Sequence, residues 1–266
     1  KATHTTKIRH LDAKNPKQAS VIELLHEAAK KDNLIIVQSL LLDSHINPDT
    51  VDNKGWSAAL RAAKSGSLKV LPFLIECRAS VNIQTKEGNS ALHKAAKRNH
   101  AEIVNVLLSS RADVNSANHG GVTPLMMSVL HQARNSVLGS LLAAKANVDA
   151  QKDVGYSAFM LAARVGNAHA VHELLKAKAD PELMDKQGET AYVKAAKHNR
   201  SEVVELLLQS GAVPHPAPGR VSNHHGHHGH HTGHPAQHDG HRNSQTSGHL
   251  RSGKSITDLL SVDRHS

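Results

Sequence analysis

The sequence predicts an all-α protein in which short helix-turn-helix units stack into a solenoid, and three observations carry that reading. First, a phrase of the form G-x-[ST]-[AP] returns at Gly55-Trp56-Ser57-Ala58, Gly88-Asn89-Ser90-Ala91, Gly121-Val122-Thr123-Pro124, Gly155-Tyr156-Ser157-Ala158 and Gly188-Glu189-Thr190-Ala191, with glycine spacings of 33, 33, 34 and 33. A fixed period of this length is the mark of a repeat architecture. Second, each phrase is followed by small residues (Ala62-Ala63, Ala95-Ala96, Ser128-Val129, Ala162-Ala163, Ala195-Ala196) and then by a run with paired aliphatics such as Leu107-Leu108, Leu141-Leu142, Leu174-Leu175 and Leu207-Leu208. Third, two Phe, two Tyr and one Trp leave the core to Leu, Ala, Val and Ile, which suits closely packed short helices better than a sandwich or barrel.

Residues 86–118 show one unit most clearly. Ser90 is placed to cap the first helix by accepting from its free amides, and Ala91 to Lys97 forms that helix, its small side chains allowing close approach of a neighbour. Asn99 stops it. Gly66, Gly166 and Asn199 hold the same place, where a helix ends on a residue of positive φ. Ile103, Val104, Leu107 and Leu108 recur at helical spacing and face the core of a second helix. Ala112-Asp113-Val114-Asn115 then leads through polar residues to the next glycine as an extended, projecting turn. So short a helix pair cannot bury its apolar side alone, so the units stack. The expected core comprises Leu92, Ala95, Ala96, Ile103, Val104, Leu107, Leu108, Leu125, Leu141, Leu142, Ala162, Ala163, Val171, Leu174, Leu175, Val203, Val204, Leu207 and Leu208.

Ser90-Ala91-Leu92-His93-Lys94-Ala95-Ala96, the later Ile103-Val104 and Leu107-Leu108, and Ala112-Asp113-Val114-Asn115 together resemble the ankyrin repeat consensus. The resemblance covers residues 19–214 and implies six repeats, the first a degenerate copy running from Ser20 through Ala28-Ala29 to Leu41-Leu42. Twelve antiparallel helices in a gently curved, monomeric array follow from it, since the repeats satisfy one another. His26 and His93 keep the family's histidine, which implies structural hydrogen bonding there, whereas Leu60, Met126, Met160 and Val193 replace it. Repeats one and four carry one extra residue, expected near the end of the first helix at Lys30-Lys31-Asp32-Asn33 and Leu130-His131-Gln132-Ala133.

Flanking segments differ in composition. Residues 1–18 form a basic N-terminal flank with five basic and one acidic residue, and the repeat region is nearly balanced at 22 basic to 19 acidic, so the overall charge of +9 is not a property of one folded face. Residues 215–253 are rich in His, Gly and Pro and cannot bury a core; residues 254–266 regain some apolar content, as a docking peptide or the start of another element. The chain begins at Lys1 and reads as a fragment or processed product, so a regulatory or targeting region of a larger polypeptide is one of its readings. A single Cys77 forms no internal disulfide and favours a reducing, intracellular compartment, the cytoplasm ahead of the nucleus.

No grouping of nucleophile, acid and base stands out, so no enzyme is predicted and no cofactor is required. The expected function is a protein-binding scaffold. Lys30, Lys64, Lys97, Arg164 and Lys197 follow the paired small residues, and Arg61, Lys94 and Lys194 precede them, so stacking turns these places into a basic stripe. In the resembled family this end of the first helix borders the concave surface and the projecting turns, where partners bind. An acidic protein is the matching ligand. The same bias also follows from lysine's helix propensity and the helix dipole. Trp56 and Tyr156, beside phrase glycines, are candidate anchors. Nucleic acid fits poorly without stacking aromatics, and no apolar run is long enough to cross a membrane. The tail supplies a separate candidate: His224, His225, His227, His228, His230 and His231 are imidazole pairs joined by glycine, suited to Zn, Ni, Cu or Co, or else part of a soluble spacer.

Overall fold

A computed structural model describes residues 16–44, 46–130 and 136–214, with side chains from residue 20 onward. Twelve α-helices are found among them: α1 (Pro16–Lys30), α2 (Leu34–Gln38), α3 (Ala58–Ser65), α4 (Val70–Glu76), α5 (Ala91–Arg98), α6 (Ala101–Ser109), α7 (Pro124–Ser128), α8 (Ser136–Ala143), α9 (Ala158–Val165), α10 (Ala168–Lys176), α11 (Ala191–Lys197) and α12 (Ser201–Gln209). The odd-numbered helices pack side by side from α1 to α11; behind them α2 meets α4, α6 meets α8 and α10 meets α12. This is the stacked helix-turn-helix order that the repeat pattern predicts.

Helix starts and stops follow from particular residues. The side-chain oxygens of Ser57, Ser90, Thr123 and Ser157 each accept the amide three residues on, at 3.3–3.4 Å, from an extended backbone. First helices end on left-handed residues, Asn99 at φ 58°, Gly66 at 78°, Gly166 at 83° and Asn199 at 54°. Asp32, at φ 54°, holds this place in the first repeat, at the same distance from its paired alanines as Asn99, so that repeat has no insertion at the end of α1. Its extra residue lies further on. Between buried Val37 and the turn residue Asp49 there is one residue more than between Val104 and Asn115, and Ser39–Asp43 takes up a π-helical turn continuing α2. A single inserted residue in a helix produces this widened turn. The place expected for the extra residue of repeat four, around His131-Gln132-Ala133, lies largely outside the described residues.

The core holds Leu92, Ile103, Val104, Leu107, Leu125, Leu141, Val171, Leu174, Val203 and Leu207, all at 1% exposure or less, with Ala95, Ala96, Ala162 and Ala163 between the helices. Five expected core members depart from this. Leu108, Leu142, Leu175 and Val204 are half-buried and Leu208 is exposed. Adjacent residues on a helix point about 100° apart, and in these pairs the second member turns away from the neighbouring rows. His93 is wholly buried; its Nδ1 accepts the Ser90 hydroxyl at 2.8 Å while its Nε2 donates to the Val122 carbonyl of the next repeat at 2.8 Å. His26 also bonds forward, but to the Thr50 carbonyl, which precedes the finger rather than following its glycine. Burial pushes the His93 imidazole down to about 4 and lowers that of His26. At Leu60, Met126, Met160 and Val193 the same place is filled by buried apolar side chains, and the cross-link is absent.

Two further rows of bonds tie successive units. Ser67, His100, Asn167 and Arg200, each just after a left-handed helix end, bond to the carbonyls of Ala29, Lys64, Val129 and Arg164. On the other side of the units Asp49, Asn82, Asn115, Asp149 and Glu182 accept the amides of Ser80, Asp113, Asn147, Asp180 and Val213 at 2.7–3.0 Å.

Candidate protein-binding face

Five short hairpin fingers project between the units. In each, the amide of one residue bonds the carbonyl four residues on (Asp52 to Trp56, Thr85 to Asn89, Asn118 to Val122, Lys152 to Tyr156, Asp185 to Glu189), and the phrase glycine closes the turn at positive φ. The pairings Val51 with Ser57, Gln84 with Ser90 and Gln151 with Ser157 are single bridges. Fingers stack on one another through Lys86 to Lys54, His119 to Glu87, Asp153 to Gly120 and Lys186 to Val154 amide-to-carbonyl bonds. The packing is tight enough that a Cβ on Gly155 would meet the Lys186 amide nitrogen at 2.7 Å. Their tip residues Asn53, Lys54, Lys86, His119, Asp153, Lys186 and Gln187 are exposed.

Trp56 leaves the first finger toward the first helices and gathers the stripe around it. Arg61, Lys94 and Lys64 lie 4.7, 4.8 and 5.0 Å from the centre of its ring. Such contacts attract cations to the electron-rich ring face. Arg61 also pairs with Asp52 at 2.6 Å. Burial raises the Asp52 carboxyl, but the Trp56 amide and the Arg61 guanidinium outweigh it and hold the group below its ordinary value. Tyr156 organises a second node, with Lys194, Lys152 and Arg164 at 4.4, 5.7 and 5.9 Å. Lys194 donates to the Tyr156 hydroxyl at 3.0 Å, pairs with Asp185 at 2.5 Å and also with Glu189, which Lys197 pairs with in turn. Burial alone lowers the Lys194 ammonium, yet Asp185, Glu189 and Tyr156 together raise it.

The ten residues expected at a partner surface therefore separate into two sets. Trp56 is 7% exposed, and Lys94 and Lys194 are 4% and 3% exposed, so these three lie within the protein and brace the fingers against the helices. Tyr156, Arg61, Lys64, Lys97 and Arg164 are half-buried, while Lys30 and Lys197 are exposed. Lys30 stands apart from both aromatic nodes and pairs with Glu27. Beside it a concavity of about 560 Å3 opens between α1 and the first finger, lined by Ile22, His26, Glu27, Lys30, Asp52 and Arg61. Sequence reasoning missed the finger carboxylates Asp52 and Asp185 as partners of the stripe, although each sits nine residues before its cation in the same repeat.

Other candidates are placed as follows. Cys77 is half-buried, and burial together with Glu76 pushes its thiol up, the opposite of an activated thiolate. Among the described residues no group of three or more His, Cys, Asp or Glu is arranged to hold a metal ion, and no helix is long and apolar enough to cross a membrane. His224, His225, His227, His228, His230 and His231 lie outside the described residues.

The family profile described as ankyrin repeats, in three copies, matches residues 25–118, 61–152 and 125–216, and the chain belongs to this family. Ankyrin arrays are a structural, non-catalytic class of domain, generally associated with protein–protein interaction. A solved chain from the complex of a predatory endopeptidase from Bdellovibrio bacteriovorus with an immunity protein is similar, at a TM-score of 0.64 and 25% identity, over 70% of this chain and 97% of that one. No curated protein matches the sequence.

Proposed function

We propose that this ankyrin array is a protein-binding scaffold whose finger tips and finger-facing helix ends, the concave side in this family, take an acidic protein partner. One observation carries the reading: the cations that recur after the paired small residues, Lys64, Lys97, Arg164 and Lys197, lie half-buried to exposed at the same level of the second, third, fifth and sixth repeats, with Leu130 in the fourth, and two of them lie beside the aromatic nodes. Rings and finger carboxylates fix neighbouring cations in place, which limits the ordering cost of binding. Lys30 continues the series in the first repeat. The similar solved chain comes from a complex of two proteins, which supports a protein ligand.

The test is charge reversal of Lys64, Lys97 and Lys197 to Glu, leaving the buried Lys94 and Lys194 untouched so that folding is preserved. Association with an acidic partner should be lost and the remaining binding should lose its salt sensitivity, with helicity unchanged. Unchanged affinity and salt dependence would overturn the proposal. A second activity is proposed on the histidine pairs from His224 to His231: reversible binding of Zn, Ni, Cu or Co by interchangeable imidazole sets, independent of the array.

A further inference from the structure

One finger departs from the others in the residue that opens its turn. Asp52, Asn118 and Asp185 occupy equivalent places, and each uses Oδ1 to accept two amides of its own turn: Lys54 and Trp56, Gly120 and Val122, Gln187 and Glu189, all at 2.8–3.0 Å. Thr85 accepts one, from Asn89. The fourth finger has Lys152 there, which has no acceptor to offer. That finger is braced instead by Gln151, whose Nε2 donates to the carbonyls of Gly155 at 2.6 Å and Met184 at 2.8 Å. The helix place that answers the finger acid is also changed. It holds Arg61 opposite Asp52 and Lys194 opposite Asp185, but Leu161 in the repeat of Lys152. An acid and base pair has been exchanged for a lysine and a leucine.

The exchange puts like charges together. Lys152 and Arg164 flank the same Tyr156 ring, and Arg164 repels Lys152, whose ammonium is lowered mainly by burial and then by this neighbour, against the opposing pull of Asp153. In the next repeat Asp185 pairs with Lys194, and Glu189 pairs with Lys194 and Lys197. Arg164 spends Nε on His198 at 3.2 Å, and among the described residues no carboxylate pairs with it. Among the described residues no bond engages the two terminal nitrogens of its fork, and a guanidinium fork matches a carboxylate.

We propose that Lys152 and Arg164, held at the Tyr156 ring, are the receiving point for an Asp or Glu side chain of the acidic partner. This rests on the proposed partner-binding face and locates its specificity in the fourth finger. The geometry separates binding from folding, because restoring Asn or Asp at position 152 supplies the turn acceptor that this finger lacks while removing the cation.

The experiment uses the full chain with a fluorescent oligoglutamate peptide as probe, and compares Lys152→Asn, Lys152→Asp and the control Lys69→Asp, an equal charge change at the exposed start of α4. The expected result is that Lys152→Asn unfolds at or above the parent's midpoint, that Lys152→Asp weakens the peptide about tenfold or more, the scale of one charged hydrogen bond, and that Lys69→Asp changes affinity less than about twofold. If Lys152→Asp weakens binding no more than the control does while reversal of Lys64, Lys97 and Lys197 abolishes it, the receiving point is wrong and the face stands. No saturable binding by the parent would overturn both. A lowered midpoint for Lys152→Asn, or displacement of the peptide by submillimolar inorganic phosphate, would overturn the assignment to a carboxylate.

Discussion

Acidification perturbs this array through His93, and the sign follows from its burial. The imidazole is wholly buried, and the cost of charging it away from water outweighs the raising effect of its Val122 bond, so the folded pKa falls from 6.5 to about 4. Between these values the unfolded chain binds the proton and the folded chain does not. The contribution of His93 to stability is therefore complete above pH 6.5, declines as pH falls through 6.5, and stops declining below about 4. Linkage over this gap gives a loss of about 2 kcal/mol at pH 5 and about 3 kcal/mol at the lower limit. His26 shifts in the same direction and adds to the slope. Denaturant unfolding of the parent and of His93→Leu at pH 7, 6 and 5 measures the effect; leucine is the residue that already fills this place at Leu60. The variant starts less stable at pH 7 for want of the Val122 bond, and loses about 2 kcal/mol less than the parent on going to pH 5. Equal slopes for the two proteins would refute the assignment of the protonation cost to His93.

Three other consequences are open to measurement. Leu107→Ala, at a wholly buried site, costs about 2–5 kcal/mol in denaturant unfolding, and Leu108→Ala on its half-buried neighbour costs less than half of that; equal costs would mean the helix faces are misassigned. Gly155→Ala strains a φ of 84° and drives a methyl against the Lys186 amide, destabilising by about 1–3 kcal/mol, and a cost near zero would contradict the close finger contact. Calorimetric titration of a peptide spanning residues 215–249 with zinc shows saturable heat at pH 7.5 that is lost at pH 5.5, as imidazoles with a reference pKa of about 6.5 become charged. Binding equally tight at both pH values would exclude coordination by those histidines.

Much of the fold is legible because the repeat makes each signal recur. The capping residues Ser57, Ser90, Thr123 and Ser157, the left-handed stops at Asn99 and Gly66, and the buried member of each aliphatic pair all announce themselves at a spacing of 33 or 34. What was misread depends on angles that spacing does not encode. Pairing Leu107 with Leu108 treats neighbours on a helix as one face, whereas their side chains diverge. The extra residue of the first repeat was assigned to the end of α1, but a left-handed Asp32 closes that helix normally and a π-turn in the next absorbs the residue. The row Asp49, Asn82, Asn115, Asp149 and Glu182 recurs as plainly as the glycines, yet its role as acceptor for the following repeat requires knowing which amide lies opposite.

The candidate site was legible as a column of charges and not as an arrangement. Lys94 and Lys194 stand one place before the paired alanines and Lys64 and Lys97 one place after. Place in the repeat does not alone show which cation folds under a ring, since Arg61, also one place before, is half-buried. Part of the signal lay in the preceding finger, although Lys94, with Thr85 nine residues earlier, folds against the Trp56 ring instead. Where Asp52 or Asp185 stands nine residues earlier, the helix cation is consumed within the repeat, and where Lys152 stands there, the helix partner is Leu161.

The most direct test of the binding face is cross-linking of the full chain to its captured partner with a lysine-reactive reagent, followed by mass spectrometry of the linked peptides. The account predicts links from finger and helix-end lysines, Lys54, Lys64, Lys86, Lys97 and Lys186, and their loss together with capture when Lys64, Lys97 and Lys197 are reversed. Links concentrated instead at Lys69, Lys176 and Lys178, on the second-helix side of the units, with capture undiminished by the reversal, would contradict it.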